Sequence, residues 1–431
     1  MKARLRKIAE DLNSSYWFLP AVMTVGAIFL SLITYAIDVR MGQHWVQEVA
    51  WIHGSKPDGA RSLLSTIAGS MISVAGTVFA ITIAAVVYAS GNYGPRLLTN
   101  FMSDRGNKFT LGTFIATFVY CLLVLRTIRS SGEGGESAFV PEVSLIVAMA
   151  LTLLSVGVLV FFLHHVPDSI RINSVVSNIG ERAMREIEGR FPDPDRGALM
   201  RMPPAAATVP VRARKTGYVE VIDFDTLAGV AQECDVRIRL TVRPGDFVHP
   251  AMPIAEVEGK DALADRVERA VHSAFAVGEF RTPRQDIEYS LDELVEIALR
   301  ALSPGINDPF TAITCMHWLS AATAQLAMRN LECDVDQRPY GEHGVYAVPD
   351  DFDHFVRRGF GSVRASAAEN AIASRMFVEG LSAAAQGDVS PLRVAALRRE
   401  ARLLLEQAEH TLAGPTLDEL RAAVEQFAPV A

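Results

Sequence analysis

Cysteine is sparse and unpatterned in this chain. Cys121 lies inside an apolar run, while Cys234, Cys315 and Cys333 are scattered without a C-x-x-C or a companion histidine at ligand spacing. A disulfide framework and a structural zinc site are thereby excluded, and reduced, buried thiols are expected. Charge is scarce as well: 21% of 431 residues, with a net of −8 and no clustered basic face. Nucleic-acid binding, which needs such a face to neutralise phosphates, drops out. Missing too are G-x-x-x-x-G-K-[ST], H-E-x-x-H, G-x-S-x-G and G-x-G-x-x-G, so phosphate-loop, zincin, hydrolase and dinucleotide chemistry have no anchor. The expectation is a protein that is not an enzyme and holds no cofactor or metal.

What the chain does have is apolar length. Half of its residues are apolar, and four uncharged runs crowd its first part, ahead of a tail of ordinary mixed composition. Trp17 to Ile37 would reach about 31 Å as a helix, enough to cross a bilayer's hydrocarbon, and it lacks a small-residue cleavage site. With the others at about 62–89, 109–128 and 143–163, the spacing predicts a four-span transmembrane domain over residues 1–165. An N-terminus in the cytoplasm puts Lys2, Arg4, Arg6, Lys7, Arg96, Arg105, Lys108, Arg171, Arg182 and Arg185 inside. Arg40, Lys56, Arg61, Arg126 and Arg129 then lie outside, which satisfies the positive-inside rule. Tyr16, Trp17, Tyr35, Trp45, Trp51, Tyr88 and Tyr93 fall at the expected interfaces. Both termini are then cytoplasmic, in a bacterial inner membrane.

The second span carries Ser65, Gly69, Ser73, Gly76, Thr77, Ala80 and Ala84 at three- and four-residue spacing, a stripe of small groups along one helix. Small residues let membrane helices approach closely, and the same groups could line a narrow pore shared by several copies. Asn92, Arg96, Arg105 and Lys108 would stand at the cytoplasmic mouth and mildly favour anions. Asp38 and Arg126 sit at span boundaries, where snorkelling to headgroups is the plainer reading and a selectivity role the sharper one. No span carries a central Asp, Glu, Lys or His, which argues against a proton-coupled pump.

Beyond the spans, His164 and His165 point in different directions, and Pro167 with Asp168 and Ser169 predicts the start of a new helix running to about Arg190. The Pro-rich stretch from Pro192 to Pro210 reads as a linker, closing a helix-and-linker segment over 166–210. A small β-domain is expected over 211–260, where Val236, Ile238, Leu240 and Val242 alternate with polar residues before a Pro244-Gly245-Asp246 turn. Its run RPGDFVHPAMPIAEVEG resembles the strand–turn–strand of biotinyl/lipoyl-type domains. That resemblance implies a lysine at a hairpin tip in cofactor-bearing members. Here Lys260 follows the strands, so no attachment is expected and the domain serves as a collar or docking module.

Residues 261–431 read as a helical domain. The Leu291-to-Leu302 stripe stops at Ser303-Pro304-Gly305, and Asp308-Pro309 supplies the cap and first-turn proline of a helix from Phe310 to about Arg329. Cys315 and His317 are expected in the core. Arg281, Asp286, Arg300, Asn307 and Asp308 could form a buried polar cluster, either a packing network or a ligand site. Asp350, Asp351, Asp353 and His354 could hold a cation, though a solvated loop entering a helix is the plainer reading. From Gly361 the chain is helical, punctuated by Gly387 and Gly414-Pro415.

The strings SVAGTVFAITIAAVVYASGNYGPRLLTNF and RTPRQDIEYSLDELVEIALRALSPGINDPFTA, on a four-span layout, are similar to a family of bacterial predicted membrane proteins catalogued as a domain of unknown function. Tyr93-Gly94 before Pro95-Arg96 departs from the Ser-Pro-Arg form of that family. The resemblance implies an inner-membrane protein and imports no activity. The residues themselves support a homo-oligomeric conduit for ions or small solutes, with a membrane-anchored scaffold or signalling protein as the other class. Membrane lipid and further copies of the chain are the expected partners, and no protein partner can be named.

Overall fold

The computed structural model describes residues 15–41, 56–94, 104–130, 139–191, 208–260, 262, 264–331, 344–348 and 350–428. Two compact units divide the chain at Arg171 and Ile172. The first holds α1 (Phe18–Met41), α2 (Pro57–Tyr93), α3 (Arg105–Leu125) and α4 (Glu142–Ser169). All four are long and apolar enough to cross a membrane, and their outer faces leave Phe29, Phe79, Val87, Leu153 and Val160 exposed. Such faces suit lipid, because helices satisfy their own backbone there.

Helix α3 is the central one, packing against α1, α2 and α4. Its Phe114, Tyr120, Cys121 and Val124 meet Leu64, Met71 and Val78 of α2 and Leu145, Ala148 and Phe162 of α4 in one apolar core. Within that core the polar side chains find each other. The Tyr120 hydroxyl lies 3.0 Å from Thr34 Oγ1 and donates to the Ser144 carbonyl at 3.1 Å, while Thr117 and Ser155 join at 3.1 Å.

Asp38 departs from the expectation of snorkelling. It is 6% exposed and accepts from the Val143 N–H at 2.8 Å, the Ser144 N–H at 3.1 Å and the Ser144 hydroxyl at 2.6 Å. Helix α4 has no side-chain cap of its own at Pro141, so a carboxylate from α1 satisfies its first free donors and faces the positive end of its dipole. A second departure concerns Pro167, which lies inside the last turn of α4 rather than at a new helix start. Proline there forfeits a single backbone bond, and the helix closes with Ile170 N–H donating to Val166 O at 3.3 Å. The third helix ends at Leu125, short of residue 128.

The second unit begins with α5 (Ile172–Arg190) and mixes sheet with helix. Strands β1 (Val209–Arg212), β2 (Gly217–Ile222), β3 (Arg237–Leu240), β4 (Phe247–Val248) and β5 (Pro253–Glu258) are interrupted by α6 (Phe224–Glu233). After α7 (Asp265–Ala274) come β6 (Phe275–Gly278), α8 (Ile287–Ala301), α9 (Pro309–Met328) and β7 (Val345–Tyr346). The strands form two sheets, in the orders β1-β5-β3-β7 and β4-β2-β6. All pairings are antiparallel except β3 with β7. Val236, Ile238, Leu240 and Val242 are buried as their alternation requires, against Leu227 of α6 and Val267 and Val271 of α7.

Two boundaries therefore change. The sheet is not closed at residue 260, because β6 and β7 come from the stretch read as helical, and β1 starts within the stretch read as linker. Short strands after a helical run carry too little periodicity to show. The chain ends with α10 (Phe352–Val356), a π-helical turn at Arg357–Gly361, α11 (Ser362–Ala368), α12 (Ala371–Ala384), α13 (Pro391–Ala408) and α14 (Pro415–Phe427). Cys315 is buried, whereas His317 is exposed rather than in the core. Burial pushes the Cys315 thiol up, which leaves it inert. Cys333 lies outside the described residues.

Replacing Asp38 by Ala removes three hydrogen bonds to a buried helix end, two of them to backbone. We expect a loss of about 2–4 kcal/mol, read as a lower midpoint of thermal unfolding in detergent, with Asp38→Asn falling between the two.

Candidate functional site

The second span gives the first candidate. Leu64, Ile67, Ala68, Met71, Ala75, Val78, Thr82 and Val86 form its buried face, so Ser65, Gly69, Ser73, Gly76, Thr77, Ala80 and Ala84 all lie on the exposed side. Among the described residues, none of these seven is buried by a neighbouring helix. A Cβ added at Gly69 or Gly76 would meet no atom within 4 Å. Ser73 Oγ donates to Gly69 O at 2.9 Å and Thr77 Oγ1 to Ser73 O at 3.1 Å, which leaves hydroxyl lone pairs turned outward. At 37 residues and about 1.5 Å each, α2 runs roughly 55 Å, well past the hydrocarbon thickness.

The expected mouth is only partly described. Arg96 lies outside the described residues, as do Trp45, Trp51, Lys2, Arg4, Arg6 and Lys7; Asn92 is in α2, with its side chain not described. Arg105 is exposed, but Lys108 is 2% exposed and so is not a free charge at an opening. Nearby, Asp104 caps α3 through the Asn107 N–H at 2.9 Å and pairs with His165 Nε2 at 3.0 Å. Gly106 makes room for that ring: a Cβ there would fall 2.6 Å from Nε2.

The second candidate is an ion network in the mixed unit. Helix α8 forms because Ile287, Leu291, Leu294, Val295 and Ala298 bury one face. Its Glu288 and Asp292, and Asp286 just before it, turn toward arginines from elsewhere. Arg281 donates to Asp286 Oδ2 from Nε at 2.9 Å and Nη2 at 2.5 Å, and to Asp292 Oδ2 at 2.5 Å. Arg358, on the π-helical turn, holds Asp292 at 2.8 and 2.7 Å and Glu288 at 2.8 Å. His354 Nε2 meets Glu288 at 2.7 Å. Asp350 extends the set to Arg190 at 3.1 Å and Arg243 at 3.6 Å. Gln285 docks on the edge of β2, accepting from Ile222 N–H at 2.8 Å and donating to Ile222 O at 3.2 Å.

The five residues expected to cluster are split between the two ends of α8, and Arg281 and Asp286 pair with each other. They lie at the start of α8, while Asn307 and Asp308 follow its far end, and 15 residues of helix put about 22 Å between those ends. Asp308 instead caps α9 through Thr311 N–H at 3.2 Å, Asn307 is exposed at φ 49°, and Arg300 is half-buried in the last turn of α8. The acidic run at 350–354 does not converge either. Asp351 accepts from Asp353 N–H at 3.1 Å, and Asp353 pairs with Arg357 and Arg399. Asp292, Glu288 and Arg358 had no sequence signal beyond helical spacing, since their partners come from distant segments.

Asp286 and Asp292 make a contrast. Burial pushes Asp286 up to about 6, with Arg281 only partly offsetting it. Burial also raises Asp292, but hydrogen bonds from Arg358 and Arg281 outweigh it and hold that carboxyl below its usual range. Because Asp286 binds its proton more tightly folded than unfolded, its contribution to stability is full below about pH 4. It is lost as pH rises through about 6, a change of about 3 kcal/mol. Asp286→Asn should remove that part of the pH dependence of thermal unfolding between pH 4 and 6.5, measured as the wild-type-minus-variant difference in midpoint.

A family model described as predicted membrane protein (DUF2254) matches residues 13–383. Uncharacterized proteins of Mycobacterium bovis (Mb1321c) and Mycobacterium tuberculosis (Rv1290c) are each 30% identical over 430 residues, covering 96% of this chain and 80% of the relative. No solved structure matches the chain.

Proposed function

From a chain that belongs to the DUF2254 family of predicted membrane proteins, we propose a homo-oligomeric, channel-like protein of the bacterial inner membrane that conducts ions or small solutes. Several copies turn the exposed stripe of α2 toward a common axis. Both termini are cytoplasmic, and the mixed unit serves as assembly or gating domain. Its lipoyl-like hairpin acts as a collar without an attached cofactor, and its tail helices form a bundle. The role is non-enzymatic.

The observation that carries this reading is the pair of glycines with open space around them. Glycine inside a helix costs about 1 kcal/mol against alanine, and among the described residues nothing lies within 4 Å of a Cβ added at Gly69 or Gly76. Close approach by another copy gives their smallness a use. The same observation favours the second reading, a membrane-anchored scaffold whose stripe only packs copies together.

Gly69→Leu and Gly76→Leu leave the protomer's core untouched, so folding should persist. At a close contact, overpacking of about 1–3 kcal/mol should weaken assembly by roughly tenfold to a hundredfold, read by native mass spectrometry from detergent. A larger residue at Ser73 or Thr77 should alter ion flux into liposomes while the oligomer persists. A monomeric wild-type particle, or an oligomer with no flux at any voltage, tension or pH, would overturn the conduit; an assembled, silent protein supports the scaffold.

A further inference from the structure

Five helices of the described residues begin at an aspartate. Asp104, Asp223, Asp308 and Asp351 each accept an N–H from the turn they open. Asp286 does not cap α8 at all. Its Oδ2 takes both bonds from Arg281, and its Oδ1, buried in a side chain 2% exposed, has no hydrogen-bond partner. The 243–246 turn closes over it: Gly245 sits at φ 95°, and a Cβ there would fall 2.2 Å from Oδ2. That turn is itself fixed, with Gly245 N–H donating to Val219 O at 2.7 Å and Arg243 N–H to Asp246 Oδ2 at 2.7 Å. The carboxylate therefore has one oxygen engaged and one left bare where water does not reach. Arg281, by contrast, has a second anchor in Asp292.

We propose that Asp286 is a proton-binding site that sets how firmly the 279–286 loop is held. Ionised, it holds Arg281 through Oδ2 but keeps a buried charge whose Oδ1 no donor meets, which favours opening of the loop to water. Taking a proton from solvent on Oδ1, it becomes a neutral acid that burial no longer penalises, while Arg281 keeps its second anchor in Asp292, so the loop is held more firmly. The loop joins β6 to α8 and carries Gln285, the residue docked on β2, so protonation tightens a link between sheet and helices. The charged groups around the site come from several elements: Arg281 on the loop, Glu288 and Asp292 on α8, and Arg243 and Asp246 on the turn. Asp350, His354 and Arg358 lie before, on and after α10, and Arg190 and Glu186 on α5. Burial of the carboxyl places the transition near pH 6, inside the range a cell interior can cross under acid stress. The inference stands apart from the conduit reading, since it concerns the mixed unit only.

The test uses the full-length protein in lipid nanodiscs. Hydrogen-exchange protection of residues 279–286, corrected for intrinsic rates, should rise at least threefold from pH 7.5 to pH 5. A carboxylic-acid C=O band should grow in infrared difference spectra with a midpoint near 6. Asp286→Asn should show the high protection at both pH values and lack the band, while His354→Gln should keep both responses. Should Asp286→Asn fail to fold, Arg281→Gln takes its place: without the cation, the band's midpoint must move up. Unchanged wild-type protection, no titrating band, a pH response that survives Asp286→Asn or vanishes with His354→Gln, or an unmoved midpoint in Arg281→Gln would each overturn the proposal.

Discussion

Polar groups removed from water must be matched inside the chain, and most of this structure can be read as the search for those matches. In the four-helix unit the unmatched groups are helix ends and hydroxyls. Asp38 reaches from one helix to the start of another, and Tyr120 ties α1 and α4 to the central helix. In the mixed unit the groups are charges. Arginines from the 279–286 loop and the π-helical turn converge on the acidic face of α8, and Arg182 of α5 meets the buried Glu293 on the same helix. Removing either member of such a pair leaves the other stranded without its match.

Helix α2 is distinguished by gathering small residues on one exposed face. Some helical glycines have a neighbour that needs them small, while others, Gly26, Gly157, Gly189 and Gly229 among them, stand in open space. Gly180 of α5 lies against the Trp318 ring, with 2.1 Å between a hypothetical Cβ and that ring, and Gly112 of α3 lies against Met23. Gly69 and Gly76 have no such neighbour. Their face is finished in composition but unfinished in contact.

Much of the architecture was legible in the sequence because the physics behind it is local. Span length, the alternation from Val236 to Val242, the Asp308-Pro309 start of α9 and the breaks at Gly387 and Gly414 all follow from residues a few positions apart. What could not be read was non-local. Nothing near Asp38 in sequence shows that its partners are Val143 and Ser144, and nothing in the 281–308 string shows that α8 holds its two ends apart. Strands as short as β7 exist only because β3 is already there to pair with them. Of the candidate sites, the α2 stripe was visible as a pattern, though its outward direction was not. The network was visible only at Arg281 and Asp286.

The π-helical turn at Arg357–Gly361 carries an evolutionary consequence. Widened turns of this kind amount to one residue more than a regular helix needs. Losing one residue there would restore an ordinary spiral and swing everything on one side of the deletion by about 100° relative to the other. Arg358 would then point away from Asp292 and Glu288, or Phe360 away from Phe377, which it now meets edge-on at 5.0 Å. Length, and not only composition, is thus constrained at this bend: relatives can exchange side chains along it far more easily than they can shorten it.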